Sequence, residues 1–227
     1  MNIIDQKVEV LYPRTLEEGI HELKAVEAAG RNCWRSEGKI TDDSYKTFVP
    51  NLIKRGHDSP LEFGHIRIKI ITGRDVLAEI TRHRIGVAFA VESQRYVNES
   101  KDDGGIKFIR PLFYIPGCKD WIFEGASAET QAKFTASRIW DSAMSCAESM
   151  YNRLIDAGMK NQDARKVLPN SCATTIIMDL NLRALLHVYA LRSSSAAYPE
   201  MQECMRLLKE EVDKILPGFL PGKEGQE

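Results

Sequence analysis

Residues 65–71, HIRIKII, constrain the fold more than any other stretch of this chain. Ile66, Ile68 and Ile70 alternate with Arg67 and Lys69, and only an extended strand sends such a pattern to opposite faces. Gly73 ends the run, and Arg74 to Arg82 read as helix. A first strand is expected at Val8, Val10 and Tyr12, and a short one at Thr174–Met178. The other periodic segments are helical. Thr15-Leu-Glu-Glu has the capping form of a helix that runs to about residue 30. A second helix is expected over roughly 42–56. A long one over about 129–157 sets Phe134, Ile139, Ala143, Cys146, Met150 and Leu154 on one stripe. Gln162–Leu168 forms a short helix stopped by Pro169, and Leu182–Leu191 another. Met201, Met205, Leu208, Val212 and Ile215 mark the last amphipathic face. The stretch 102–126 reads mostly as loop. Few strands among several long helices give an α+β chain, not a regular βαβ succession.

Composition narrows the function classes. The 227 residues carry 31 Lys and Arg against 32 Asp and Glu, a net charge of -1. That balance argues against a general polyanion binder, whose footprint is a basic surplus, so no nucleic-acid partner is expected. No run approaches the roughly 18 apolar residues of a membrane span, and MNIIDQKVEVLYPRT lacks signal-peptide organisation. Five dispersed cysteines, at 33, 118, 146, 172 and 204, read as free thiols in a reducing, cytoplasmic compartment. Without CxxC or a His/Cys cluster, no zinc site is expected. With no repeat or linker, residues 1–227 are expected to form a single domain, with a mobile tail from about 218.

The chemistry concentrates in RHRIGVAFAVESQRY, residues 82–96. Arginine offers a planar, permanently charged fork suited to phosphate, and His83 can donate or accept according to its protonation. QDARKVLP adds Arg165. NLRALLHVYALR adds Asn181, Arg183, His187 and Arg192, with Arg183 and His187 four apart on one helix face. Each motif alone has a plain structural reading: RHR as a solvated basic turn, Arg165 as a salt-bridge partner, His187 as a hydrogen-bonded core histidine. Glu79 and Glu92 read as solvated carboxylates. Ser93 has no neighbouring His-Asp arrangement, so a hydrolase triad is not supported. From composition and periodicity, the chain is an α+β protein with candidate anion-binding segments.

Taken together, RHR, Ser-x-Arg-Tyr, ARxVLP, NLRxxxHxxxLR and the following Glu200 resemble the flavin-dependent thymidylate synthase family. GHDSPLEF is similar to that family's G-H-E-S-P-x-E-H segment. The resemblance spans about residues 50–215. It implies an α+β fold with a small central sheet flanked by long helices, and a homotetramer whose active sites are shared between subunits. It further implies an enzyme that uses FAD, 5,10-methylenetetrahydrofolate and NADPH to methylate dUMP reductively to dTMP, releasing tetrahydrofolate. By likeness of motif, Ser59, His65, Arg82, His83, Arg84, Asn181, Arg183 and His187 are expected to contact FAD. Glu79, Glu92, Ser93, Gln94, Arg95, Arg165 and Arg192 are expected to bind dUMP. Arg192 would stabilise negative charge at the pyrimidine ring, and Ser93 would position and polarise the substrate, since no base partner is evident to activate it.

Three departures from the family pattern stand out. Eight residues, not the commoner seven, separate RHR from Ser93, and a loop over IGVAFAVE is expected to absorb the extra one. Phe63 replaces the second histidine of the GHDSPLEF segment, leaving His65 as its possible substitute. SSSAAYPE lacks the His and Gln found in many relatives. Two other functions remain open at this point: a related flavoenzyme with altered pyrimidine chemistry, such as hydroxymethylation, and a non-catalytic nucleotide-binding protein.

Overall fold

A computed structural model describes residues 1–99, 105–117 and 126–222. Residues 102–104 and 118–125 of the expected 102–126 loop, Cys118 among them, lie outside the described residues, as does the tail from 223. The chain divides into two compact units.

The first unit comprises residues 1–6, 72–77 and 91–174. Strands β1 (Asn2–Ile4) and β5 (Lys107–Ile109) pair in parallel, Asn2 opposite Lys107 and Ile4 opposite Ile109. Helix α4 (Ala128–Asp156) is followed by the one-turn α5 (Asn161–Ala164) and a 3-10 turn, Arg165–Val167. Ser127 caps α4 by accepting from the Thr130 amide. The core gathers Ile106, Phe108, Trp140, Met144, Tyr151, Ala164 and Cys172.

Helix α4 corrects the expected stripe. Trp140, Met144 and Tyr151 face the core, with Ser137 and Asp141 beside them, whereas Ile139 is 66% exposed. Two offset sets of apolar residues wind round this helix, and the one holding the large aromatics is buried. Of the expected stripe, Ile139, Ala143 and Cys146 are exposed, whereas Phe134 and Met150 are half-buried and Leu154 packs against the core.

The second unit comprises residues 7–71, 78–90 and 175–227. Most of a four-stranded sheet, in the order β2 (Lys7–Tyr12), β3 (His65–Gly73), β6 (Ala173–Asn181), β4 (Val87–Val91), lies here. β2 runs antiparallel to β3, with Val8 opposite Ile70 and Val10 opposite Ile68, and a register shift before Tyr12. Ile66, Ile68 and Ile70 are buried as their alternation requires. β6 is longer than expected. IGVAFAVE is not a loop: a turn at Ile85–Gly86 leads directly into β4, where Val-Ala-Phe-Ala-Val finds a ladder partner.

Helix α1 (Leu16–Cys33) begins where Thr15 accepts from the Glu18 amide at 3.2 Å. It packs against α2 (Tyr45–Lys54) and the 3-10 turn Ser59–Phe63. α7 (Pro199–Asp213) packs on β2, burying Met201, Met205, Leu208 and Val212 at roughly 1.5–3 kcal/mol for each large apolar side chain. Ile215, Phe219 and Leu220 are buried too, and the Leu220 carbonyl accepts from Lys209 at 3.1 Å. Order therefore continues past the expected boundary at about 218.

Two strand-to-helix junctions place the chemistry. β3 passes without a loop into α3 (Arg74–Ile80), and β6 into α6 (Leu182–Arg192). The end of α3 delivers Glu79 and RHR. α6 delivers His187 and Arg192.

Candidate functional site

In the second unit, Arg192 closes the last turn of α6 with its side chain 20% exposed. Its Nε donates to His83 Nε2 at 2.9 Å. One terminal nitrogen donates to Glu79 Oε2 and the other to the Glu79 carbonyl, both at 2.8 Å. Three of the guanidinium's five N–H groups are thus committed, which fixes its plane and leaves one donor on each terminal nitrogen. Because His83 Nε2 is an acceptor, its ring is neutral and carries its proton on Nδ1. Burial lowers the His83 pKa below its ordinary value, and the nearby Arg192 charge and His187 lower it further. The His83 and His187 rings meet edge to face, centroids 5.7 Å apart. Glu79, His83, His187 and Arg192 were each singled out in the sequence, and the fold brings all four together.

His187 also lines a cleft of about 1450 Å³, together with Asn181 and Arg183. Leu16, Ile20, Val49, Ile53, Ile85 and Phe219 supply apolar wall, and Lys46 and Lys54 supply charge. Asn181 caps α6, its Oδ1 accepting from the Ala184 amide at 2.8 Å. Its own amide donates to the Gly86 carbonyl at 3.1 Å. Gly86 has φ +71, and a Cβ there would sit 2.6 Å from Asn181 Nδ2, so this turn needs glycine on both counts. Arg183 pairs with Glu62 at 2.6 Å, both half-exposed at the surface. The cleft lysines were missed by motif reading, since isolated surface lysines carry no spacing signal.

Arg82 and Arg84 are exposed on the turn after α3, and Ser59 is exposed at the start of its 3-10 turn. His65 opens β3 with an exposed side chain, while its amide donates to Glu22 Oε2 at 2.8 Å. Glu22 is buried and also accepts from the Tyr12 hydroxyl. That hydrogen bond, with burial, pushes the Tyr12 pKa up to about 12. At His65 the backbone is structural and the imidazole stays available.

The first unit carries the other candidates. Residues 93–96 form a turn in which the Ser93 carbonyl accepts from Tyr96 and Val97 amides, both at 3.0 Å. Ser93 Oγ accepts from the Arg95 amide at 3.4 Å, and among the described residues no histidine or carboxylate hydrogen-bonds that hydroxyl. Arg95 is exposed, its guanidinium 5.5 Å from the Tyr96 ring centroid. The Glu92 carbonyl lies 3.5 Å from an Arg74 terminal nitrogen. Gln94, expected to face substrate, instead turns inward and is 5% exposed. Arg165 is half-buried one turn beyond Asn161, whose Nδ2 donates to the Tyr96 carbonyl at 3.3 Å.

A family model described as thymidylate synthase complementing protein matches residues 16–218. The chain is 32% identical over 213 residues to a flavin-dependent thymidylate synthase of Geobacter sulfurreducens, covering 87% of this chain and 84% of that protein. It is 32% identical over 201 residues to a probable flavin-dependent thymidylate synthase of Mycobacterium phage L5, covering 84% and 76%. Among solved structures, it is similar to the UMP/dUMP methylase PolB from Streptomyces cacaoi bound with 5-Br dUMP, with TM-score 0.73, 23% identity and coverage of 96% and 95%. It is also similar to thymidylate synthase X from Helicobacter pylori with FAD and dUMP, with TM-score 0.67, 20% identity and coverage of 98% and 99%. At these identities the structural likeness speaks to fold.

Proposed function

The chain belongs to the flavin-dependent thymidylate synthase family, and on that premise we propose that it reductively methylates dUMP to dTMP. FAD is the bound cofactor, 5,10-methylenetetrahydrofolate the one-carbon donor and NADPH the reductant, with tetrahydrofolate released. The whole chain acts as one catalytic domain, a reading supported by a family match that runs through both units.

The residues present fit FAD. A cleft of about 1450 Å³ exceeds the usual range of about 300–1,000 Å³ for small-molecule sites, and its apolar walls with cationic groups suit a flat ring system joined to a pyrophosphate. Asn181, Arg183 and His187 hold the cofactor from the cleft wall. His83 acts through its remaining Nδ1–H, and Arg82, Arg84, Ser59 and His65 act from exposed positions. When bound, FAD supplies the redox chemistry.

Ser93, Arg95 and Arg165 bind the nucleotide, and Glu92 borders the same turn. The Arg95 and Arg165 guanidinium groups are permanently charged planar forks suited to the nucleotide's phosphate. Glu79 borders the substrate while orienting Arg192. Arg192 presents its two uncommitted N–H groups to the pyrimidine, where they stabilise negative charge that develops on the ring during methylation. Ser93 positions and polarises the substrate, because its hydroxyl lacks an activating base. The observation that carries this reading is the Arg192 guanidinium held in one plane by Glu79 and His83.

A homotetramer with shared sites is supported by apolar groups standing bare next to the motifs: Ile85 is 94% exposed, Tyr96 78% and Phe63 64%. Free thiols at Cys33, Cys146, Cys172 and Cys204 support a reducing, cytoplasmic setting. Among the described residues, no helix is long and apolar enough to cross a membrane.

The test supplies purified protein with FAD, NADPH, dUMP and methylenetetrahydrofolate and identifies the nucleotide formed. Formation of dTMP is expected. Accumulation of a different modified pyrimidine nucleotide would replace this reaction with a related one, and failure to bind added FAD would overturn both.

A further inference from the structure

Resting on the dUMP reading above, we infer that Gln94 is a positioning residue for the nucleotide site: its buried amide latches the turn bearing Ser93 and Arg95 onto the segment that bears Arg165. Glutamine is seldom buried, and a buried amide is costly unless it is hydrogen-bonded. Gln94 is 5% exposed, and its Nε2 donates to Glu99 Oε1 at 3.2 Å and to Cys172 Sγ at 3.4 Å. Both acceptors are buried, Glu99 at 7% exposure and Cys172 at 0%. The Glu99 amide donates in turn to the hydroxyl of Tyr151, a core residue of α4, at 3.3 Å.

The Cys172 sulfur is suited to receive this bond as a neutral thiol. Burial, reinforced by the Glu99 charge, pushes its pKa up to about 12. Its S–H points to the Ala173 carbonyl at 3.8 Å, which leaves a sulfur lone pair for Gln94. Cys172 is itself tied back to Arg165 through the chain: its amide donates to Pro169 O at 3.0 Å, and the Leu168 amide donates to Arg165 O at 3.1 Å. A shift of Gln94 relative to Cys172 therefore shifts Ser93 and Arg95 relative to Arg165.

The turn is held at alternate residues. The Glu92 carbonyl faces Arg74, the Gln94 side chain faces inward, and the Tyr96 carbonyl receives Asn161. Ser93 and Arg95, between these anchors, are left half-exposed and exposed. The outer two anchors are long contacts to backbone carbonyls, 3.5 Å and half-buried at Glu92, 3.3 Å and exposed at Tyr96. Gln94 alone places a side chain in the interior, so it sets the turn's register.

Gln94→Leu keeps most of the volume and removes the donor. It is expected to raise KM for dUMP by about ten-fold, as loss of one buried hydrogen bond does, with kcat and FAD content unchanged. Amide hydrogen exchange across residues 93–97 should accelerate by a similar factor. Cys172→Ser, which keeps an acceptor, should stay near the wild type, whereas Cys172→Ala should follow Gln94→Leu. An unchanged KM despite faster exchange would overturn the inference, and so would a rise in KM accompanied by loss of both kcat and FAD content, since that reports a general structural defect. A wild-type chain that fails to bind dUMP overturns the substrate reading instead. In that case the exchange rates judge the latch alone, and unchanged exchange in Gln94→Leu overturns it.

Discussion

Arg192 has no freedom to search for its ligand, because Glu79 and His83 grip three sides of its guanidinium. Removing it should affect chemistry more than cofactor retention. Arg192→Ala is expected to lower turnover by about 10²–10³, the usual cost of losing one preorganised donor at a developing anion, with little change in FAD content; equal loss of both would count against the assignment. His83 makes this geometry sensitive to acid. Its pKa is lowered in the folded protein, so the unfolded chain takes up this proton first as pH falls. The stability this group contributes is therefore present above its ordinary value, near 6.5, and is lost as pH falls from there towards the folded pKa. The groups facing it are Arg192 and His187, with Glu79 on the far side of the guanidinium. Protonation would remove the acceptor for Arg192 and add a like charge. Melting temperature measured from pH 7.5 to 5.5 should fall more steeply for the wild type than for His83→Asn, and parallel curves would sink this account.

At the scale of elements, strand-to-helix junctions do the positioning, and the tightest point is where the Ile85–Gly86 turn meets the start of α6. Gly86→Ala adds a left-handed penalty of about 1–2 kcal/mol and a clash with the Asn181 amide. Chemical denaturation should show a lower midpoint with unchanged slope; a neutral result would mean that the turn relaxes freely. The elements most legible in the sequence were those with one possible buried face. β3 alternates strictly, α7 has a single stripe of Met, Leu and Val, and Thr15 caps α1 as its spacing implies. The buried face of α4 is not legible locally, because two apolar sets wind round it and periodicity does not rank them. β4 has no such signature, because its small residues gain strand character only from the neighbouring β6.

For the whole molecule, the exposed Ile85, Tyr96 and Phe63 are unusual company for the site motifs, since large apolar surface next to function commonly marks an interface. Sedimentation should report a tetramer, and Ile85→Asp should shift it to smaller species while loosening FAD. A wild-type monomer that retains full activity would contradict shared sites.

The sequence by itself determined the class of the protein. Its motifs identify a flavin-dependent thymidylate synthase, and its periodicities name most of the strands and helices, because both signals lie in neighbouring residues. Tertiary structure decided which of the candidate side chains act together. Arg192 meets Glu79 and His83 across separations of 113 and 109 residues, and Gln94 meets Cys172 across 78. No local pattern encodes such contacts. The same structure turned Gln94, from the middle of the substrate motif, away from solvent, because its amide finds buried acceptors in Glu99 and Cys172.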